Sequence, residues 1–132
     1  MTEHTFIRSI HKHLPTKLLR WKIHDTYAGG VPDAFYGGPH GVMWVEYKFL
    51  RKLPVRTTTR LKVNLSPLQI QWLTRLNTCG QTTKVIVGHG KNGIVLDNPQ
   101  QPVVQNDFVT NAQSVRQLAQ LITNHCLGTT DD

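Results

Sequence analysis

Cysteine is scarce: Cys79 and Cys126 are the only two in 132 residues, too few for a disulfide framework. Both are expected to be reduced and buried or half-buried, in a cytoplasmic protein of a bacterium or a virus-infected host cell. No CxxC pair or HxxxH spacing occurs, so zinc would require Cys79, His89, His125 and Cys126 to meet by tertiary coincidence. No apolar run approaches the roughly 20 residues of a membrane-spanning helix. Charges and histidines interrupt the first apolar positions, so the N-terminus carries no signal pattern. The glycine-rich turn at 88–93 lacks the lysine-then-hydroxyl ending of a phosphate-binding P-loop, which excludes nucleotide binding of that kind. Acid is short as well: eight Asp and Glu against fifteen Lys and Arg give a net charge of +7 and a pI near 9.8. That balance suits a polyanionic partner, although it also fits a merely soluble surface.

What remains is enough for one domain with a real core, expected over residues 1–127 with a frayed tail at 128–132. Thr2 can cap a first helix whose apolar positions Phe6, Ile7, Ile10 and Leu14 recur at helical spacing until Pro15 closes it. Glu3 falls in its first turn, where a carboxylate favours the helix dipole. His11 and His13 read as solvent-facing or phosphate-adjacent. Residues 18–24 alternate as a strand with Arg20 and Lys22 on one face, and the loop at 25–31 holds Gly29-Gly30, which permit a sharp bend or a close approach to phosphate. His24 and Asp25 lie near that loop without a telling spacing.

The densest pattern lies at 29–48, GGVPDAFYGGPHGVMWVEYK. Asp33 opens a short strand over 33–36, residues 37–41 reverse the chain, and a second strand runs over 42–49. Strand side chains alternate faces, so Glu46 and Lys48 share one face while Val45 and Tyr47 take the other. The hairpin can bring the carboxylates of Asp33 and Glu46 together beside Lys48. Two such acids repel unless positive charge sits between them, and magnesium supplies it through oxygen ligands. The bland alternative is a pair of polar residues on a solvated strand face.

Residues 48–62 include Lys48, Arg51, Lys52, Arg56, Arg60 and Lys62 without one acid, together with Thr57, Thr58 and Thr59. With Pro54 and no helical period, the segment reads as an irregular basic loop leaving the strand that carries Glu46, suited to a DNA backbone; a plain solvated surface is the other reading. Ser66-Pro67-x-Gln69 opens a second helix as a capping box, with Leu68, Trp72, Leu73 and Leu76 as its buried stripe and Gly80 as its end. Residues 82–87 read as a central strand, Gly93 to Leu96 as its antiparallel partner, 97–107 as a connector, and 112–125 as a last helix covering the sheet with Val115, Leu118, Ala119 and Ile122.

Pro32-Asp33 followed by Glu46-Tyr47-Lys48 resembles the PD-(D/E)XK nuclease superfamily, and Gly-Val-Pro-Asp resembles its virus-type replication-repair (VRR-NUC) and Holliday-junction-resolvase-like branch. The resemblance covers roughly residues 1–96. It implies an α/β fold with an αβββαβ restriction-endonuclease-like core, a mixed sheet flanked by helices, here with an extra C-terminal helix. It further implies that Asp33, Glu46 and the Tyr47 carbonyl hold Mg2+, with Mn2+ able to substitute, and that Lys48 serves catalysis. Glu3 matches a third carboxylate that many relatives place on the first helix. Gln69 matches a glutamine beside the catalytic lysine, so it can cap its helix, touch Lys48 or substrate, or do both. The expected activity is metal-dependent endonucleolytic hydrolysis of DNA, structure-directed at junctions or flaps and carried out by a homodimer, with Arg51, Lys52, Arg56, Arg60 and Lys62 on the backbone. A sequence-directed homing or restriction-type enzyme is the alternative, and a non-catalytic DNA-binding module on the same fold is another.

Overall fold

The computed structural model describes residues 1–24, 27 and 29–129; Asp25 and the last three residues of the expected tail lie outside them. The elements run α1 (Glu3–His11), β1 (Leu19–Lys22), β2 (Ala34–Gly38), β3 (Gly41–Phe49), α2 (Pro67–Thr78), β4 (Thr82–His89), β5 (Asn92–Leu96), α3 (Gln105–Asn111), β6 (Gln113–Ser114) and α4 (Val115–Leu127). The six strands form one sheet in sequence order. All neighbours are antiparallel except β3 and β4, which α2 joins as a parallel crossover. This is the expected αβββαβ order, extended by a C-terminal helix. Among the described residues no helix is long and apolar enough to cross a membrane.

Period-two alternation sorts the sheet's side chains onto two faces. Ala34, Tyr36, Met43, Val45, Tyr47 and Ile86 join Phe6, Ile7 and Ile10 of α1 and Leu118, Ala119 and Ile122 of α4 in one core. On the other face Val85, Val87, Ile94 and Leu96 meet Leu73 of α2, Leu61 of the basic loop, Val103, and Phe108 of α3. Helix starts follow local chemistry. Thr2 caps α1 through the Thr5 amide, and Ser66 and Ser114 open α2 and α4 as capping boxes with Gln69 and Gln117.

Several expected boundaries shift. α1 ends at His11, and Leu14 reaches the core from the turn that follows rather than from the helix, because the residue before a proline is pushed out of helical geometry. β1 is shorter than 18–24, although the Ile23 amide still donates to the Asp33 carbonyl at 2.8 Å. β2 begins one residue after Asp33 and takes in Gly37 and Gly38, and β5 begins at Asn92. The connector at 97–107 contains the start of α3, whose N-cap is Val104, a residue with no capping side chain to announce it. The last helix begins at Val115, after the two-residue strand β6.

The buried stripe of α2 reduces to Leu73, and Leu68 is half exposed. α2 packs mainly over β4, so the apolar residues it turns away from that strand are covered only in part. Cys79 is exposed, contrary to expectation, because it caps the solvent-facing end of α2; Cys126 is buried. His11 is half-buried rather than solvent-facing, drawn in by a hydrogen bond to Tyr36.

Candidate active site

The β2–β3 hairpin sets the geometry. Ala34 pairs with Val45, so one step further along the register Asp33 falls opposite Glu46, and directly opposed residues share a face. The Tyr47 amide donates to Asp33 Oδ2 at 2.8 Å, which ties the acid to the strand edge that β2 has just left. A strand residue's amide and carbonyl project from the same edge, so the Tyr47 carbonyl faces that side too. Upstream, Gly30 has φ of 91°, and a Cβ there would lie 2.5 Å from the Leu68 backbone. Of the two roles open to Gly29-Gly30, the tight bend is realised, pressed against the first turn of α2.

Glu46 is only 2% exposed. Its Oε2 accepts a hydrogen bond from Gln69 Nε2 at 3.0 Å, while Oε1 is buried with no hydrogen-bond partner. Burial first, and the neighbouring Asp33 carboxyl second, push the Glu46 carboxyl up to about 9 against a partial offset from Lys48. A buried acid oxygen with no donor, beside a second acid, fits a cation bound between them. Magnesium characteristically takes one or two carboxylates and fills its remaining positions with water and phosphate oxygens. Asp33, Glu46 and the Tyr47 carbonyl make such an incomplete set. Among the described residues no three His, Cys, Asp or Glu side chains converge into a metal-binding cluster. Glu3 therefore stands beside the pair without completing a three-acid cage. It is nevertheless within electrostatic reach: partial burial and then Asp33 raise its pKa, while Lys48 and Lys22 lower it.

Gln69 caps its helix as expected and, in the same conformation, reaches Glu46 rather than Lys48. Its Oε1 accepts from the Ser66 amide at 2.9 Å, closing the capping box, while its amide nitrogen holds Glu46. Lys48 shares the Glu46 face and lines a groove of about 610 Å3 with Arg51, Lys52, Arg60 and Lys62. Arg56 does not line it. The basic loop is irregular but fastened. The carbonyls of Thr57 and Thr59 accept from the amides of Asn106 and Gln105, and the Leu61 amide donates to the Val103 carbonyl. Its cationic side chains are exposed while Leu61 is buried beneath them.

Beneath the site runs a hydrogen-bonded chain that the sequence did not announce. Tyr47 Oη and Tyr36 Oη lie 2.7 Å apart, and Tyr36 Oη lies 2.7 Å from His11 Nε2. Burial raises the pKa of both phenols and, with Arg20 and Lys22, lowers that of His11 to about 4. The chain pins the Tyr47 ring on the face opposite the acids. Nothing local marked it, since Tyr36 read only as the end of a short strand and Tyr47 only as a residue on the face away from Glu46.

A mixed sheet in this strand order, flanked by helices, is the restriction-endonuclease-like fold, as the resemblance implied. The solved structure of Hjc, a Holliday junction resolvase from the archaeal hyperthermophile Archaeoglobus fulgidus, shares it. That comparison has a TM-score of 0.57 at 13% identity and covers 91% of this chain and 97% of Hjc. No protein-family model and no curated protein matches the sequence.

Proposed function

We propose that this protein is a metal-dependent endodeoxyribonuclease that hydrolyses phosphodiester bonds in branched DNA, junctions or flaps, as a homodimer in the cytoplasm, with residues 1–127 as its nuclease domain. The observation that carries the proposal is the buried Glu46 carboxyl, set against Asp33 with one oxygen unpartnered, on the strand face that leads through Lys48 into a basic groove. The likeness of fold to a Holliday junction resolvase supports it.

Asp33, Glu46 and the Tyr47 carbonyl would hold Mg2+, or Mn2+ in its place, with Glu3 assisting from α1. The ion supplies Lewis acidity and charge neutralisation at the scissile phosphate. Gln69 fixes the Glu46 carboxylate through Oε2 and leaves Oε1 unpartnered. Lys48 orients the attacking water and steadies the negative charge that grows on the non-bridging phosphate oxygens. Water attacks phosphorus and releases a proton to solvent, the P–O bond to the leaving strand breaks, and the departing oxygen takes up a proton from solvent, so that one water is consumed for each bond cut. Arg51, Lys52, Arg60 and Lys62, with Arg56 further out, grip the backbone.

The test is a cleavage panel of linear duplex, flap, four-way junction and single-stranded DNA, with Mg2+ or with EDTA. Cutting is expected only with metal and preferentially on branched substrates, while Asp33→Ala and Glu46→Gln bind but do not cut. Equal cutting by either variant would end the catalytic assignment. Cutting at one site within an unbranched duplex would make the enzyme sequence-directed instead, and binding without cutting by the wild type would leave a DNA-binding module.

A further inference from the structure

The sheet face that carries Asp33, Glu46 and Lys48 does not end at the acids. Residues two apart on a strand share a face, so Phe35 adjoins Asp33 and Trp44 adjoins Glu46. The register sets Trp21 opposite Phe35 and Phe35 opposite Trp44. α2 leaves this corner open: Trp21 is 56% exposed, and Trp44 and Trp72 are half-buried. Trp21, Ile23, Val31, Trp44 and Trp72 line a groove of about 390 Å3. Its floor is fixed in advance. Trp44 Nε1 donates to Gln81 Oε1 at 3.1 Å, and Phe35 meets the Trp44 ring edge-on with centroids 4.8 Å apart.

We propose that this aromatic groove is a stacking site for unpaired nucleotide bases adjoining the scissile phosphate. The inference rests on the nuclease reading and narrows its substrate to DNA with a single-stranded arm or an unstacked branch point.

Three features favour bases as the occupant. First, two residues along a strand span roughly 7 Å, about two steps of a stacked nucleic-acid strand at roughly 3.4 Å each. A chain whose phosphate rests on Asp33 and Glu46 therefore passes its next nucleotides over Phe35 and Trp44. Second, three of the seven described lining residues are tryptophans, with His24 and Tyr27 beside them, and base faces stack on aromatic rings whatever the base. Third, none of the described residues that line the groove is an acid, and Lys48 opens the basic groove on the far side of Glu46, so a strand leaving the aromatic groove past the acid pair runs toward positive charge. A fully paired duplex keeps its base faces covered and cannot use the site.

Equilibrium binding of the full chain, measured in EDTA so that no cutting occurs, tests the proposal. The probes are a duplex bearing a single-stranded flap and a fully paired duplex of equal length, and the proteins are wild type, Trp21→Ala, Trp21→Leu and Trp21→Tyr. Losing one base stack weakens binding roughly tenfold, so Trp21→Ala and Trp21→Leu are expected to lose about that much on the flap and less than twofold on the paired duplex. Trp21→Tyr should recover most of the loss. Equal losses on both probes, or a leucine variant as good as wild type, would overturn the proposal, as would failure of the wild type to prefer the flap. Sedimentation of the same variants covers the other occupant of an apolar face. If Trp21→Ala turns dimer into monomer while the flap preference is unchanged, the surface joins two copies of this chain and the proposal falls. The two readings fail separately: a Trp21-dependent flap preference in a protein that cuts nothing with Mg2+ keeps the stacking site and removes the nuclease. Metal-dependent cutting without that preference does the reverse.

Discussion

Glu46 sits in a place where a carboxylate is unwelcome without company. Its ordinary pKa is 4.5, and in the folded chain burial and Asp33 hold it near 9. Between those values the unfolded chain has released the proton while the folded chain keeps it, so the metal-free protein loses stability as pH rises from about 4.5 to about 9. In EDTA at pH 8, Glu46→Gln is therefore expected to be more stable than wild type by about 2 kcal/mol in urea unfolding, with the gap closing near pH 4. Added Mg2+ should stabilise the wild type and leave the glutamine variant almost unmoved. A wild type as stable as the variant across that range would mean that the acid pair carries no strain for a cation to relieve. Lys48 shares the face but not the burial, so its removal should cost chemistry rather than affinity. Lys48→Ala is expected to lower single-turnover cutting about a hundredfold or more while the Kd for flap DNA stays within threefold; a change in Kd alone would reduce Lys48 to a backbone contact.

Among the elements, α2 couples its own start to the site, because one Gln69 side chain closes the capping box and holds Glu46. Ser66→Ala removes only the cap and should cost about 1 kcal/mol of stability with little effect on cutting. Gln69→Ala removes the reciprocal half of the capping box and the Glu46 hydrogen bond together. It should lose stability on a similar scale and, in addition, a measurable part of the cutting rate; equal cutting by the two variants would confine Gln69 to capping.

This helix also illustrates what a sequence discloses. Ser66-Pro67-x-Gln69 is local chemistry, so the start of α2 was legible, as was the hairpin whose alternation sets Glu46 and Lys48 on one face. The same Ser-x-x-Gln pattern at Ser114 and Gln117 marks the start of α4, three residues beyond the expected Ala112. The exposed flank of α2 was hidden for a different reason: its apolar spacing records which residues match, whereas burial depends on whether the sheet extends far enough beneath them. α3 begins at Gln105 behind an N-cap, Val104, that has no capping side chain, and the Tyr47–Tyr36–His11 chain joins residues distant in sequence. Neither leaves a short-range signal.

Over the whole molecule, the surplus of positive charge gathers beside the site. The basic loop is fastened by backbone bonds to residues 103–106 while Arg51, Lys52, Arg60 and Lys62 stay exposed along one groove. Neutralising those four should flatten the slope of log affinity against log salt by about 0.9 for each phosphate they no longer neutralise. Neutralising Arg56, which stands outside the groove, should change it less. An unchanged slope in the fourfold variant would move the DNA surface elsewhere.

The sheet's strands lie in the order in which they are made, which bears on the timing of synthesis. By the time Gln69 leaves the ribosome the chain already contains every proposed catalytic group, yet the inner faces of β2 and β3 are covered by α1 alone until α4 arrives to complete the core around Tyr36, Tyr47 and their neighbours. On the proposed function, a nascent chain thus carries the groups for cutting DNA on a half-covered scaffold. On the same reading, cutting would wait until α4 has been translated and has covered that face.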